Sequence, residues 1–232
     1  MTLSTIKFNL NTIDESKVVE VSYDNLFAIG YAGRNIKKTM EHIKELEEQL
    51  GVPAPKKIPT IFQCSNMLLT QDENFHAVGN KTCGEVEYII ILSEGKTYVG
   101  IGSDHTDREL ESVSVPKSKQ VCPKPIGYSM WPYDEVKDHW DEIRLVSYQT
   151  VDGEEIMYQN GTLADILPVE TILKELNERV GNIQNSIIYS GTVPVLDGFK
   201  FGNRFRCEMI DDKLDRKLEL DYNIIAISEE ER

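Results

Sequence analysis

The chain has 232 residues, a length that suits one large domain or two small ones and allows a sizeable core. Apolar residues make up 40% of it, which is typical of a globular protein and argues against a disordered one. The formal net charge is -14 and no cluster of Lys and Arg outweighs it, which argues against a nucleic-acid partner and against an anionic membrane surface.

The N-terminal residues and the cysteines indicate the cellular compartment of the protein. The first residues lack the apolar segment of a signal peptide, and no apolar run approaches the ~20 residues that span a bilayer. The 4 cysteines are scattered, without the C-x-x-C pair that would indicate a zinc site. We therefore expect a reduced, cytoplasmic protein without a membrane segment.

Strand patterns dominate the chain, and two helices are predicted. The strand patterns cover, in order, residues 4–10, 16–23, 25–33, 58–69, 84–92, 96–103, 142–149, 155–159, 185–195, 204–211 and 216–227. One helix is predicted over residues 36–50, where apolar residues recur at helical spacing and form one stripe. The other is predicted over 168–180, with Pro168 near its start and a glycine after its end. Residues 109–135, which hold four prolines, are predicted to be irregular.

Many strands and two helices predict a strand-dominated α+β fold. Residues 1–25 are expected to form a small N-terminal β-hairpin layer, and residues 26–232 the main domain. One continuous domain over 1–232 is the alternative, because no Gly/Ser-rich linker interrupts the chain.

Two glutamates two residues apart stand at the start of an apolar run, in "GEVEYIIIL". If the turn 93–96 closes an antiparallel hairpin with Ser93 opposite Lys96, Glu87 faces Gly102 and Glu85 faces Asp104. Side chains at i and i+2 of a strand share a face, so three carboxylates would lie on one patch. Like charges that close repel unless one is protonated or a cation compensates them. Oxygen-only ligands suit Mg²⁺, Mn²⁺ or Ca²⁺ better than zinc.

Two simpler interpretations stay open at this stage. A Glu-x-Glu pair in a strand is most often a solvated face, although here both faces continue with apolar residues, as in a strand buried on both sides. The polar segment "SDHTDREL" that follows reads equally well as a helix N-terminus capped by Thr106 or Asp107.

Several motifs resemble, in order, those of the fumarylacetoacetate hydrolase superfamily. "GEVE" and "SDHTDRE" resemble its E-x-E and N-D-[VIM]-[ST]-A-R-D signatures. Three further segments, "AIGYAGRNIKKTMEHIKEL", "PKSKQVCPKPIG" and "IIYSGTVPVLDG", resemble its G-x-N-Y-x-x-H-x-x-E, G-K-S-F-D-x-x-C-P-x-G and [IL]-x-x-G-T-P-x-G-V-G segments. The residues of "GSDHTDRELE" and "SKQVCPKP" are most similar to those of a bacterial branch of this superfamily that has no known function.

The resemblance implies a mixed β-sandwich roll with few helices, a bound Mg²⁺ or Mn²⁺ ion with Ca²⁺ as the alternative, and a homodimer. It also implies roles for individual residues. The metal ligands would be Glu85, Glu87 and Asp104, the catalytic residues His42, Glu45 and Lys119 or Lys117, and the substrate-binding residues Thr192, Gly191, Arg108 and Gln63.

The chain departs from the family pattern at four places, one of which is the stretch from Glu87 to Asp104, shorter here than is usual in the family. His42 lies seven residues after Asn35, where the family has a spacing of three, which affects the His42–Glu45 pair that would activate water. Gln63 stands where the family has a lysine. Lys117 and Lys119 both compete for the position of the family's substrate-binding lysine.

The function implied is a divalent-metal-dependent hydrolase or lyase acting on a small anionic 1,3-dicarbonyl or 2-oxo acid. Such an enzyme breaks a C–C bond through an enolate that the metal stabilises. Decarboxylation, tautomerisation and hydration on the same scaffold are alternatives. The rival from another class is a non-catalytic protein that binds a metal or ligand and retains the fold.

Overall fold

The computed structural model describes residues 3–50 and 53–230, apart from the side chains of His42, Glu45, Leu46, Gln49 and Leu50. The strands are β1 (Ser4–Asn11), β2 (Ser16–Tyr23), β3 (Asn25–Gly30), β4 (Thr60–Cys64), β5 (Leu69–Thr70), β6 (Asn74–Val78), β7 (Thr82–Cys83), β8 (Val86–Ser93), β9 (Lys96–Ser103), β10 (Thr106–Asp107), β11 (Lys124–Pro132), β12 (Arg144–Val151), β13 (Glu154–Thr162), β14 (Ser186–Thr192), β15 (Arg204–Asp211) and β16 (Arg216–Ile227). The α-helices are α1 (Ile36–Leu50), α2 (Arg108–Val113), α3 (Val115–Gln120) and α4 (Val169–Arg179).

Two sheets make up most of the fold. The larger is nine-stranded and mixed, in the order β2-β1-β11-β9-β8-β14-β3-β4, with β5 pairing to β11. The smaller is five-stranded, in the order β13-β12-β15-β16-β6. Strands β7 and β10 pair separately beside them. The predicted strand-dominated α+β roll is confirmed.

Strand β8 lies in the middle of the larger sheet because it is apolar on both faces. Tyr88 and Ile90 pack into a core that contains residues of both sheets. Ile89 and Ile91, which point the other way, pack into a second core formed by strands of the larger sheet alone. The larger sheet therefore curls around a core of its own, and both faces of β8 are removed from water.

The N-terminal hairpin is attached to the larger sheet. Strands β1 and β2 pair antiparallel, as the sequence predicts. Strand β1 also pairs in parallel with β11, through Asn9 with Ser129 and Leu10 with Met130. The division into a layer over residues 1–25 and a main domain over 26–232 stays a prediction.

Both predicted helices are confirmed, but one predicted loop is wrong. Residues 109–135, expected to be irregular, contain most of α2, all of α3 and β11. Pro116 lies in the first turn of α3, where no intrahelical N–H is needed. Pro125 and Pro132 lie near the ends of β11, and the pairing of β11 with β9 shifts between Ile126 and Met130. These prolines therefore lie at the starts and ends of regular elements, and they do not indicate an irregular segment.

Of the apolar stripe predicted for α1, the side chains of Leu46 and Leu50 lie outside the described part, and the others are only partly covered. Ile43 is buried, whereas Ile36 and Met40 are about half exposed. Within the described residues, no helix is long and apolar enough to cross a membrane.

We expect Ile90→Ala to lower the free energy of unfolding by about 2–5 kcal/mol, because it opens a cavity in the core that both sheets share. Urea denaturation of the purified variant measures the change. Ile13→Ala is the matched control, since Ile13 is 63% exposed, and we expect it to shift the free energy by less than about 0.5 kcal/mol. Equal losses in the two variants would contradict the central position of β8.

Candidate active site

The hairpin of β8 and β9 brings the three predicted carboxylates to one end of the larger sheet. Its register pairs Ser93 with Lys96 and Glu87 with Gly102, as predicted from the turn. One step further, the backbone N–H of Asp104 donates to the carbonyl of Glu85 at 3.1 Å. The pairing of Glu85 with Asp104 is thereby confirmed.

The space beside Glu87 is filled, although Gly102 suggests an opening there. A Cβ atom on Gly102 would lie 2.7 Å from Cδ1 of Ile89 and 2.8 Å from Cε1 of Tyr189. Gly102 is therefore required so that these two side chains can pack across the hairpin.

Asp104 is buried between two lysines. Asp104 is only 2% exposed, and its carboxylate forms ion pairs with Lys119 and with Lys124, whose Nζ lies 3.2 Å from Oδ1. Burial alone would raise the pKa of Asp104, but the two ammonium groups hold that pKa well below its usual range. Asp104 is therefore an anion whose charge is balanced within the protein.

The two lysines differ in how much of their hydrogen-bonding capacity is used. The ammonium group of Lys124 contacts Asp104 and donates to the carbonyls of His105 at 2.6 Å and Cys122 at 3.3 Å. An ammonium group has three N–H donors, so Lys124 is saturated. Lys119 bonds Asp104 and otherwise lies over the ring of Phe62, 5.5 Å from its centroid. Within the described residues, Lys119 therefore keeps donors for a ligand.

Arg108 occupies the neighbouring part of the site. Its Nη2 lies 3.1 Å from Oε2 of Glu85, and its Nη1 lies 2.9 Å from Oε2 of Glu111. Its Nε donates to Sγ of Cys83 at 3.2 Å, and the ring of Phe199 covers the guanidinium at 4.4 Å. The predicted substrate-binding arginine is thus held between two carboxylates.

Glu87 is the exception among the three carboxylates. It is 2% exposed and accepts one hydrogen bond, from the backbone N–H of Gly191 at 2.9 Å. No ion pair of Glu87 is present among the described residues. Burial, followed by the nearby charge of Asp104, raises the pKa of Glu87 well above its usual range. This carboxyl would be stabilised as an anion by an added cation.

The donor set fits a hard divalent cation, because it consists of carboxylate oxygens and includes a buried one without a cationic partner in the described part of the chain. Within that part, no three Asp, Glu, His or Cys side chains already form a metal-binding group. Lys119 and Arg108 contact Asp104 and Glu85 where a cation would be expected. A metal would therefore have to compete with these two side chains.

The remaining predicted site residues are less directly placed. The hydroxyl of Thr192 donates to the carbonyl of Val86 at 2.6 Å and accepts from Nε2 of Gln159 at 2.7 Å. Lys117 and Gln63 are exposed. The positions of His42 and Glu45 lie in α1, but their side chains are outside the described part.

Sequence reasoning missed Lys124 and Glu111. Lys124 lies within the segment "PKSKQVCPKPIG", in which Lys117 and Lys119 are the candidates for the family's lysine, and Glu111 directly follows "SDHTDREL". A weak signal for Lys124 is its position between two prolines at the start of a strand, where a long charged side chain is unusual.

We expect Lys124→Met to lower the free energy of unfolding by about 3 kcal/mol at pH 7, because it leaves buried Asp104 with one cation fewer. Since the pKa of Asp104 is depressed in the fold, this stabilisation is present above the unfolded pKa of about 3.9 and is lost on acidification below it. Urea denaturation at pH 7 and near pH 3 measures both effects. Exposed Lys117→Met is the control, and an equal loss there would contradict the assignment.

We expect Glu87→Gln to raise the melting temperature of the metal-free protein at pH 8. A carboxyl whose pKa is raised in the fold destabilises it when ionised, so the penalty grows as pH rises above the unfolded pKa of about 4.3. The difference from wild type should therefore shrink toward pH 4. Thermal scans in the presence of EDTA test this, and a lower melting temperature at pH 8 would refute the account of Glu87.

The chain was compared with protein families, with curated proteins and with solved structures. A family model described as "Protein of unknown function (DUF2848)" matches residues 29–222. No curated protein matches the chain.

Solved structures with the same fold include enzymes. The protein Cg1458 superposes with a TM-score of 0.63 at 14% identity, over 96% of this chain and 89% of that one. A 2-keto-3-deoxy-D-arabinonate dehydratase complexed with magnesium and 2,5-dioxopentanoate gives 0.62 at 17%, over 91% and 77%. The fumarylacetoacetate hydrolase of psychrophilic Exiguobacterium antarcticum gives 0.59 at 18%, over 93% and 83%.

At these identities the likeness concerns the fold, and it confirms the predicted roll of the fumarylacetoacetate hydrolase type. The family model, in contrast, spans most of the chain. The protein belongs to the family described as "Protein of unknown function (DUF2848)".

Proposed function

We propose that the protein is a divalent-metal-dependent enzyme of the fumarylacetoacetate hydrolase superfamily that acts on a small anionic oxo acid. The observation that carries the proposal is the convergence of Glu85, Glu87 and Asp104 at one end of the β8–β9 hairpin, with Glu87 buried and without a cationic partner in the described part. The fold shared with a magnesium-complexed dehydratase and with a hydrolase supports it.

Glu85, Glu87 and Asp104 would hold Mg²⁺ or Mn²⁺. The ion would supply a Lewis acid for adjacent substrate oxygens and lower the cost of negative charge on them. It would also compensate Glu87, whose ionised form is disfavoured by burial and by the charge of Asp104.

Lys119 is the residue best suited to bind the substrate's negative charge. It is buried, it keeps N–H donors, and it lies beside Asp104. Its charge is secure, since the neighbouring carboxylates hold its pKa above the usual range although burial alone would lower it. A donor aimed at a developing oxyanion stabilises the transition state more than the ground state.

Hydrolysis would add water to one carbonyl carbon, break the adjacent C–C bond and return a proton to the leaving carbon. His42 with Glu45 is the proposed base for water, and Gly191, Thr192, Arg108 and Gln63 are the proposed substrate contacts. The hydroxyl of Thr192 is already engaged with Val86 and Gln159, so a contact through the 191–192 backbone fits better. From the resemblance alone, we further propose a cytoplasmic homodimer.

Dehydration is the second candidate reaction. It is favoured by the similarity to the structure of 2-keto-3-deoxy-D-arabinonate dehydratase, which was complexed with magnesium and 2,5-dioxopentanoate. A dehydratase would need the same anion-binding lysine, but would remove a hydroxyl group where a hydrolase breaks a C–C bond.

The test is turnover with added Mg²⁺ or Mn²⁺ on a panel of acylpyruvates, oxaloacetate and 2-oxo-3-deoxy sugar acids, followed by NMR of the products. We expect metal-dependent conversion of at least one compound, and the product identifies the reaction. Absence of turnover across the panel, together with a melting temperature that no metal changes, would contradict the proposal.

We expect Lys119→Met to reduce kcat/KM about 100-fold on the compound that is converted, because it removes an oxyanion donor. Metal should bind at least as tightly, since a cation that competes for Asp104 is removed. Lys117→Met is the matched control and should retain wild-type kinetics, because Lys117 is exposed. A large loss of kcat/KM in Lys117→Met with wild-type kinetics in Lys119→Met would show that Lys117 binds the substrate.

A further inference from the structure

The residues before and after Asp104, Ser103 and His105, both form hydrogen bonds with the hydroxyl group of Tyr222. The Oη of Tyr222, carried by β16 of the smaller sheet, lies 2.9 Å from Oγ of Ser103 and 3.0 Å from Nδ1 of His105. Neighbouring side chains alternate in an extended segment, so Ser103 and His105 point to the smaller sheet while Asp104 points to the opposite side. All four residues are buried.

The same hydroxyl group is linked to Glu85. The Oγ of Ser103 accepts a hydrogen bond from the backbone N–H of Glu85 at 3.2 Å. At Gly84, a Cβ atom would lie 2.5 Å from Oη of Tyr222 and 2.6 Å from Oγ of Ser103. The glycine is thus needed because the Tyr222–Ser103 pair occupies the space beside the backbone that carries Glu85.

The far side of the chain of hydrogen bonds is also anchored. The Nε2 atom of His105 lies 2.9 Å from Oγ1 of Thr82, so both ring nitrogens are engaged. The ring packs edge-on against Phe75, with centroids 4.9 Å apart, and Phe75 in turn packs against Tyr222. The backbone carbonyl of His105 accepts from Lys124, the lysine that also contacts Asp104.

We propose that Tyr222 is a positioning residue that sets the places of Glu85 and Asp104 from the second sheet, through Ser103 and His105. Tyr222 contacts neither carboxylate. It acts on Asp104 through the flanking residues Ser103 and His105, and on Glu85 through the backbone N–H whose hydrogen bond Ser103 accepts. The inference rests on the proposed function in assigning these carboxylates to a metal, because partners behind metal ligands orient the ligands and tune affinity.

The test compares Tyr222→Phe with Tyr88→Phe, each of which removes one hydroxyl group from a fully buried tyrosine. The hydroxyl of Tyr88 donates to the carbonyl of Leu167 at 2.5 Å and has no part in the hydrogen-bonded chain described above. Mn²⁺ affinity is measured by electron paramagnetic resonance, and amide hydrogen exchange is measured on the metal-free protein. Urea denaturation confirms that both variants fold.

We expect Tyr222→Phe to weaken Mn²⁺ binding about tenfold and to speed exchange of the Glu85 and Asp104 amides about tenfold. Tyr88→Phe should leave both unchanged, even if it lowers stability as much. Unchanged Mn²⁺ affinity in Tyr222→Phe, or equal effects in the two variants, would overturn the proposal.

A failure of the proposed function has a different signature. If wild-type protein binds no Mn²⁺, the metal assignment fails, and exchange in the metal-free protein still decides the role of Tyr222. Faster exchange at Glu85 and Asp104 in Tyr222→Phe alone would then support positioning of the two carboxylates. Equal exchange in the two variants would refute it.

Discussion

Three carboxylates at one buried end of a sheet are costly unless positive charge accompanies them. The fold supplies that charge unevenly. Among the residues that the structure describes, Asp104 has two lysines, Glu85 has one arginine that it shares with Glu111, and Glu87 has only a backbone N–H. Much of the site can be understood from this imbalance. Charges that are already balanced hold the site together, and the unbalanced charge of Glu87 is the one that an added cation would stabilise.

The position of the site follows from the strand that carries Glu87. An apolar run with no polar face is stable only when both faces are covered, and β8 is covered by two different cores. A strand at the centre of a sheet takes the residues at its ends into the interior as well. The glutamates at the start of β8 are therefore drawn into an environment that they would not occupy on a sheet edge.

The site also depends on the contact between the two sheets. Tyr222 belongs to the five-stranded sheet, whereas the hairpin that carries the carboxylates belongs to the nine-stranded one. Its hydroxyl reaches the residues on both sides of Asp104, and Gly84 makes that approach sterically feasible. The geometry of the carboxylates therefore depends on how the two sheets pack. A shift of one sheet relative to the other would move Tyr222 out of hydrogen-bonding range of Ser103 and His105.

The sequence by itself determined the features that depend on neighbouring residues. Helical spacing located α1, and Pro168 and Gly181 marked the ends of α4. The turn at residues 93–96 determined the register that places Glu85 opposite Asp104. The sequence indicated the start of α2, where Asp107 caps the helix as one interpretation of "SDHTDREL" expects. It did not reveal α3 and β11, because prolines that begin or end elements look the same as prolines that interrupt them. Only the tertiary structure decided that Lys119 and Lys124 are buried against Asp104, that the hydroxyl of Thr192 is internally engaged, and that Tyr222 lies behind the site. The physical reason is that a register is set by one turn, whereas charge pairing and hydrogen bonding between sheets depend on segments far apart in the chain, which meet only when the sheets pack.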